Sequence, residues 1–152
     1  VNFSLNEVHM TLRKALCGRG LGFGAADDWG AVGARLSAGG VDGIAVVLAQ
    51  DNDALHRLLT KADARLASGK ALDHEGADLQ TALLAHLTGA PFDRQRAGGI
   101  AAQSWQAALD LAQNTYVPES DASRLGGLVP EPTTTTDPFD GDPNHGYDPD
   151  PR

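Results

Sequence analysis

The sequence predicts an all-α domain of about five helices followed by an irregular acidic tail. Three observations predict it. Apolar residues recur at three- and four-residue spacing in successive windows of the first 115 positions. Capping residues and glycines stand where those windows begin and end. Beyond residue 128 the apolar pattern stops, and the segment holds six of the eight prolines, four consecutive threonines at 133–136 and repeated Asp-Pro. The division expected is therefore a helical domain over 1–128 and a Pro/Asp/Thr-rich tail over 129–152, whose composition buries too little apolar surface to fold alone.

The first helix is expected over 5–17. Ser4 and Glu7 form an S-x-x-E capping box, Phe3 and Val8 occupy the positions of a hydrophobic staple, and Leu5, Val8, Leu12 and Leu16 make an apolar stripe. Gly18, Gly20, Gly22 and Gly24 read as a flexible connection. A second helix is expected over 25–38, with Trp29, Val32 and Leu36 inward and Gly39-Gly40 as its stop. Asp42 can cap a third segment, 43–49. Its β-branched residues Ile44, Val46 and Val47 leave an α+β alternative open, with a short strand near 44–48. Asp51, Asn52 and Asp53 offer caps for a helix over 54–67, with Leu55, Leu58, Leu59, Ala62 and Leu66 inward. Asp73 can cap one over 74–88, with Leu79, Leu83 and Leu87 inward. A last helix is expected over 100–115, with Trp105, Ala108, Leu109 and Ala112 on its apolar side.

Aromatics make up only 5% of the chain, so its core must rest on Ala, Leu and Val. The net charge of −8 is uneven: residues 1–128 carry 14 acids and 11 bases, while 129–152 carry six acids and only Arg152. An acidic chain without a basic cluster is poorly suited to a phosphate backbone, so no nucleic-acid partner is expected. The single cysteine, Cys17, excludes an intrachain disulfide and fits a reducing compartment. No basic segment followed by an apolar run resembles a signal peptide, and the longest apolar run, 44–49, is far too short to span a bilayer. A cytoplasmic location without membrane contact is the expectation.

Four groups of residues invite a chemical reading. The 18–24 glycines lack the preceding strand and the G-x-G-x-x-G spacing of a dinucleotide loop, and Asp27 and Asp28 at the start of the next helix would repel phosphate. His74 and Asp78, four apart, could share a helical face with Glu75 nearby, but one face supplies at most two of the three or four ligands zinc needs. His9, His56 and His86 are scattered over helices and read as boundary or surface residues. In the tail, Asp140, Asp142, Asn144 and Asp148, with Asp137 before them, place oxygens in the manner of a calcium loop. Gly146 falls one place late, however, and no bidentate Glu closes the loop. A weak Ca²⁺ or Mg²⁺ site there is the most the sequence implies, and no other cofactor is predicted. The most site-like cluster is Tyr116, Glu119, Ser123 and Arg124: a guanidinium can grip an anion bidentately and a phenol can orient it.

Two stretches resemble a known family. Ser4-Leu5-Asn6-Glu7-Val8, Arg13-Lys14-Ala15, the run from Gly20 through Asp28, and Gly40-Val41-Asp42-Gly43 form the first. Trp105, Leu109, Leu111-Ala112 and the run from Thr115 through Arg124 form the second. Together they cover roughly a third of the chain and are similar to the DUF3726 family of uncharacterised bacterial proteins. The resemblance implies a small bacterial cytosolic protein with no established activity. A fainter similarity, to the N-terminal helices of the type-2 malate/L-lactate dehydrogenases, ends at Asp42. Those enzymes carry a catalytic His soon after the Asp, whereas Gly43-Ile44-Ala45 follow here, so it implies helical packing and not hydride transfer.

No Ser/His/Asp or Cys/His set assembles from the sequence. The function expected is a non-catalytic accessory or protein-interaction domain, working with a protein partner or as a homo-oligomer. The alternative is a small-anion-binding or enzymatic subunit with a pocket near Tyr116 and Arg124.

Overall fold

A computed structural model describes residues 2–70, 78–93 and 96–115. Within them the chain is all-α: α1 Leu5–Gly18, α2 Phe23–Ala38, α3 Gly43–Leu48, α4 Asn52–Ala67, α5 Leu79–Leu87 and α6 Ala102–Ala112, ending in a 3-10 turn, Gln113–Thr115. The strand alternative at 44–48 is overturned. Asp42 accepts a hydrogen bond from the Ala45 N–H at 2.9 Å, and this cap starts a helix despite the β-branched residues. The only β pairing described is an isolated antiparallel bridge between Phe3 and Ala97.

Each start has a local cause. The Ser4 hydroxyl accepts from the Glu7 N–H at 3.1 Å and the Glu7 carboxylate accepts from the Ser4 N–H at 2.7 Å, completing the capping box. Those bonds hold the Glu7 carboxyl below its ordinary pKa. Asp51 caps α4 through Ala54, so the helix begins two residues before its expected start. Asp78 caps α5 through Thr81. Asp78 has extended backbone as this N-cap, so α5 starts at Leu79 and not at 74; Asp73, His74 and Glu75 lie outside the described residues.

The glycine run after α1 is a defined turn, not a loose one. Gly20 takes φ 92°, its N–H donates to Cys17 O, and the Leu21 N–H donates to Leu16 O, both at 2.9 Å. This is a Schellman closure, in which Leu21 follows the cap into the core beside Leu16. Gly18 lies inside α1 and Gly24 inside α2, because α2 starts at Phe23 with Gly22 as its N-cap.

Packing centres on α1 and α2, which form an antiparallel pair. α6 lies along α1, α3 and α5 lie against α2, and α4 touches mainly α5. Trp29 is fully buried and belongs to one hydrophobic cluster with Val8, Leu12, Leu16, Val32, Ile44, Leu55 and Leu83. Close approach depends on residues without side chains: a Cβ at Gly30 would lie 2.7 Å from His9 Cδ2 and 2.8 Å from His9 O, and one at Gly43 would collide with the Gly33 carbonyl. One expected core position is corrected. Leu109 is an exposed large hydrophobic, since Ala108 and Ala112 carry the buried stripe of α6 while half-buried Trp105 stacks on Phe3 at 3.8 Å.

Candidate ligand-binding cleft

α1 and α5 flank α2, and a cleft of about 760 Å³ opens between them. Leu5, Asn6 and His9 of α1 form one wall. Ala31, Ala34 and Arg35 of α2 form the floor. His86 and the segment from Gly89 to Phe92 form the other wall. That last segment leaves α5 through a second Schellman closure. Gly89 takes φ 68°, its N–H donates to His86 O, and the Ala90 N–H donates to Ala85 O. The turn sends Pro91 and Phe92 back toward α2, where the Phe92 ring lies 4.4 Å from the Arg35 guanidinium carbon. Arg35 also donates to Ala90 O at 2.6 Å, tying this wall to the floor.

Two consecutive acids on α2 reach the two walls. Asp27 Oδ1 stands 3.0 Å from His9 Nε2 and 3.1 Å from Arg13 Nη1. Asp28 Oδ1 stands 3.0 Å from His86 Nε2. Successive helical residues point about 100° apart, so neighbours in sequence can serve helices on opposite sides. Burial alone would raise the pKa of the Asp27 carboxyl. Hydrogen bonds from Arg13 and His9, with the charges of both, outweigh that and hold it below its ordinary value. Arg13 in turn lies over the Phe23 ring, 4.9 Å from its centroid; that ring is 65% exposed.

The carboxylates orient the two imidazoles and leave each ring at the cleft wall. The lining mixes apolar side chains with the polar groups of Asn6, His9, His86 and Arg35. That mixture and size are typical of small-ligand sites. Among the described residues its lining includes no hydroxyl or thiol side chain. Among the described residues no group of three or more His, Cys, Asp or Glu is placed to hold a metal ion, and no helix is long and apolar enough to cross a membrane.

A smaller hollow, about 520 Å³, surrounds Arg19 and residues 48–53. There Arg19 Nε donates to Asn52 Oδ1 at 2.9 Å, Nη1 donates to Leu48 O at 3.1 Å, and Asn52 Nδ2 donates to Arg19 O at 3.1 Å. These bonds tie the end of α1 to the α3–α4 corner, a structural role.

The residues expected to form a site, Tyr116, Glu119, Ser123 and Arg124, and the tail oxygens of Asp140, Asp142, Asn144 and Asp148 all lie outside the described residues. The cleft was not foreseen. The sequence reading of His9 and His86 as boundary or surface residues fits their partial exposure, 27% and 28% of the side chain. One signal was present: His9 and Arg13 lie four apart on one face of α1, and two acids follow the first turn of α2. The sequence reading places Asp27 and Asp28 at the start of α2. They lie instead in the second turn and serve side chains on neighbouring helices.

The described residues form a small helical domain with a cleft of mixed polar and apolar lining, edged by two His–Asp pairs. Comparison with protein-family models, curated proteins and solved structures finds no match.

Proposed function

We propose that this chain is a non-catalytic binding domain, accessory to another protein or process, which holds a small recognised group in the α1–α2–α5 cleft. The observation that carries this reading is the placement of His9 and His86 on facing helices over an alanine floor, each ring held by its own aspartate. The recognised group can belong to a free metabolite or to a partner protein. The resemblance to the DUF3726 family supports a bacterial cytosolic setting. A second reading draws on the same His–Asp pairs, since a carboxylate that orients an imidazole is half of a general-base arrangement. It requires turnover of a bound substrate, whereas the leading reading requires binding alone.

The test is a fragment screen of mixed charge against the full chain, read by amide chemical shifts. Shifts should gather at Asn6, His9, Ala31 and Ala90. Ala31→Leu, which fills the half-buried floor, should abolish them while leaving the melting temperature within a few degrees. Shifts scattered over the surface, or unaffected by Ala31→Leu, would count against the cleft.

A further inference from the structure

No residue of α4 lines the cleft, and this helix touches mainly α5. Leu55 and Ala62 are its fully buried residues, and Leu58, Leu59 and Leu66 are half-buried. Arg57, Lys61 and Arg65 are all exposed. Residues four apart on a helix lie one above the other, so these cations form a stripe about 12 Å long. The acids of α4 do not neutralise it. Asp63 is two residues from both Lys61 and Arg65, a spacing at which side chains do not face each other. Asp53 stands one turn before Arg57, yet no side-chain hydrogen bond or ion pair joins the three cations to any described residue.

Like charges four apart disfavour a helix, and α4 has two such pairs, Arg57–Lys61 and Lys61–Arg65. Arg65 lies in the last turn, where the helix dipole favours a cation, but Arg57 and Lys61 lie too far inside the helix to share that effect. Solubility would be served as well by acids alternating with bases at this spacing, which would also support the helix.

We infer that the outward face of α4 docks an acidic helix of a partner protein, one whose carboxylates repeat at four-residue spacing and so match Arg57, Lys61 and Arg65. Helices lying side by side pair charges along their edges in this way in coiled coils. Half-buried Leu58, three residues before Lys61, borders the stripe and gives the partner helix an apolar edge. A nucleic acid fits less well, because three cations neutralise few phosphates and the chain as a whole, at a net charge of −8, repels the rest.

The experiment is an amide-shift titration of the full chain with an alanine-based helical peptide of about 20 residues carrying Glu at four-residue spacing, and with its Gln counterpart. At about 10 mM salt the Glu peptide should shift amides within α4 and bind about tenfold more tightly than the Gln peptide, the scale of three exposed ion pairs. Salt at about 1 M should remove that preference. In Arg57→Gln/Lys61→Gln/Arg65→Gln the preference should vanish while the melting temperature stays within a few degrees of the parent, since all three side chains are exposed. Ala31→Leu, which fills the cleft, should leave the preference intact, so this inference and the cleft reading fail separately. Equal binding of the two peptides, shifts lying outside α4, or a preference that survives the triple substitution overturns the inference. So does tighter binding of a single-stranded oligonucleotide than of the Glu peptide at the same salt, which would make the stripe a phosphate surface.

Discussion

Asp27 accepts from a histidine and an arginine of α1 while its neighbour Asp28 accepts from a histidine of α5, so two adjacent residues join three helices. The depressed pKa of Asp27 makes this junction sensitive to acid. A carboxyl that binds its proton more weakly when folded than when unfolded stabilises the fold above the unfolded pKa, about 3.9 for Asp, and loses that contribution as pH falls through the folded value. Asp27→Asn should therefore melt below the parent near neutrality, and the gap should narrow as pH drops below about 4. Melting curves of both proteins across that range check this; a gap that stays constant would show that the ionised form of Asp27 contributes nothing. Asp42 links elements in a similar way, accepting from Ala45 N at α3 through one oxygen and from Ala101 N at the start of α6 through the other.

At the scale of elements, helix contacts are set as much by missing side chains as by those present. α2 and α3 meet where Gly33 and Gly43 face each other, and Ser37 closes the same contact with its fully buried side chain. A methyl at Gly43 would meet the Gly33 backbone and lie 2.8 Å from Ser37 Oγ, and backbone cannot rotate away. Gly43→Ala should cost about 1–3 kcal/mol as overpacking, despite a gain of up to about 1 kcal/mol in helix propensity. Chemical denaturation checks it, and an unchanged midpoint would mean that α3 shifts freely. Gly33→Ala should be milder, because its nearest neighbour is the end of the Leu12 side chain, which can move.

For the whole molecule, the decisive fact is a core of small aliphatic residues around one indole. Trp29 is the largest fully buried side chain, and the buried cluster it belongs to is mostly Ala, Val and Leu. Its Nε1 has no hydrogen-bond partner among the described residues, so the ring contributes through packing. Trp29→Ala should cost about 3–5 kcal/mol, a large share of the roughly 5–15 kcal/mol that holds a domain of this size together. Urea unfolding of the variant measures it. A loss under about 1 kcal/mol would show that the surrounding helices collapse into the space.

Local signals were legible in the sequence where the physics is local. The Ser4–Glu7 box, the Asp42 cap and the glycine stop after Ala38 act within a few residues, and the stripes of α1 and α2 follow from helical period alone. α4 and α5 were less legible at their starts. Several Asp residues near each could cap, and the choice of Asp51 and Asp78 depends on which turn packs against the rest. The strand-or-helix question at 44–48 was decided by the Asp42 cap and by burial of Ile44 and Val47 against α2, neither of which periodicity over six residues can show. The cleft was the least legible feature. His9, Asp27, Asp28 and His86 are ordinary polar residues in sequence, and they converge only because α1 and α5 pack on either side of α2. Their separations along the chain, 18 and 58 residues, exceed the range of any local pattern. The sequence by itself determined the helical class, the Ser4 and Asp42 caps and most of the inward faces, because hydrogen bonding and apolar periodicity act along the chain. The tertiary structure alone decided which polar groups face one another, because that depends on how helices pack, on the glycines that let them approach and on the turns that aim them.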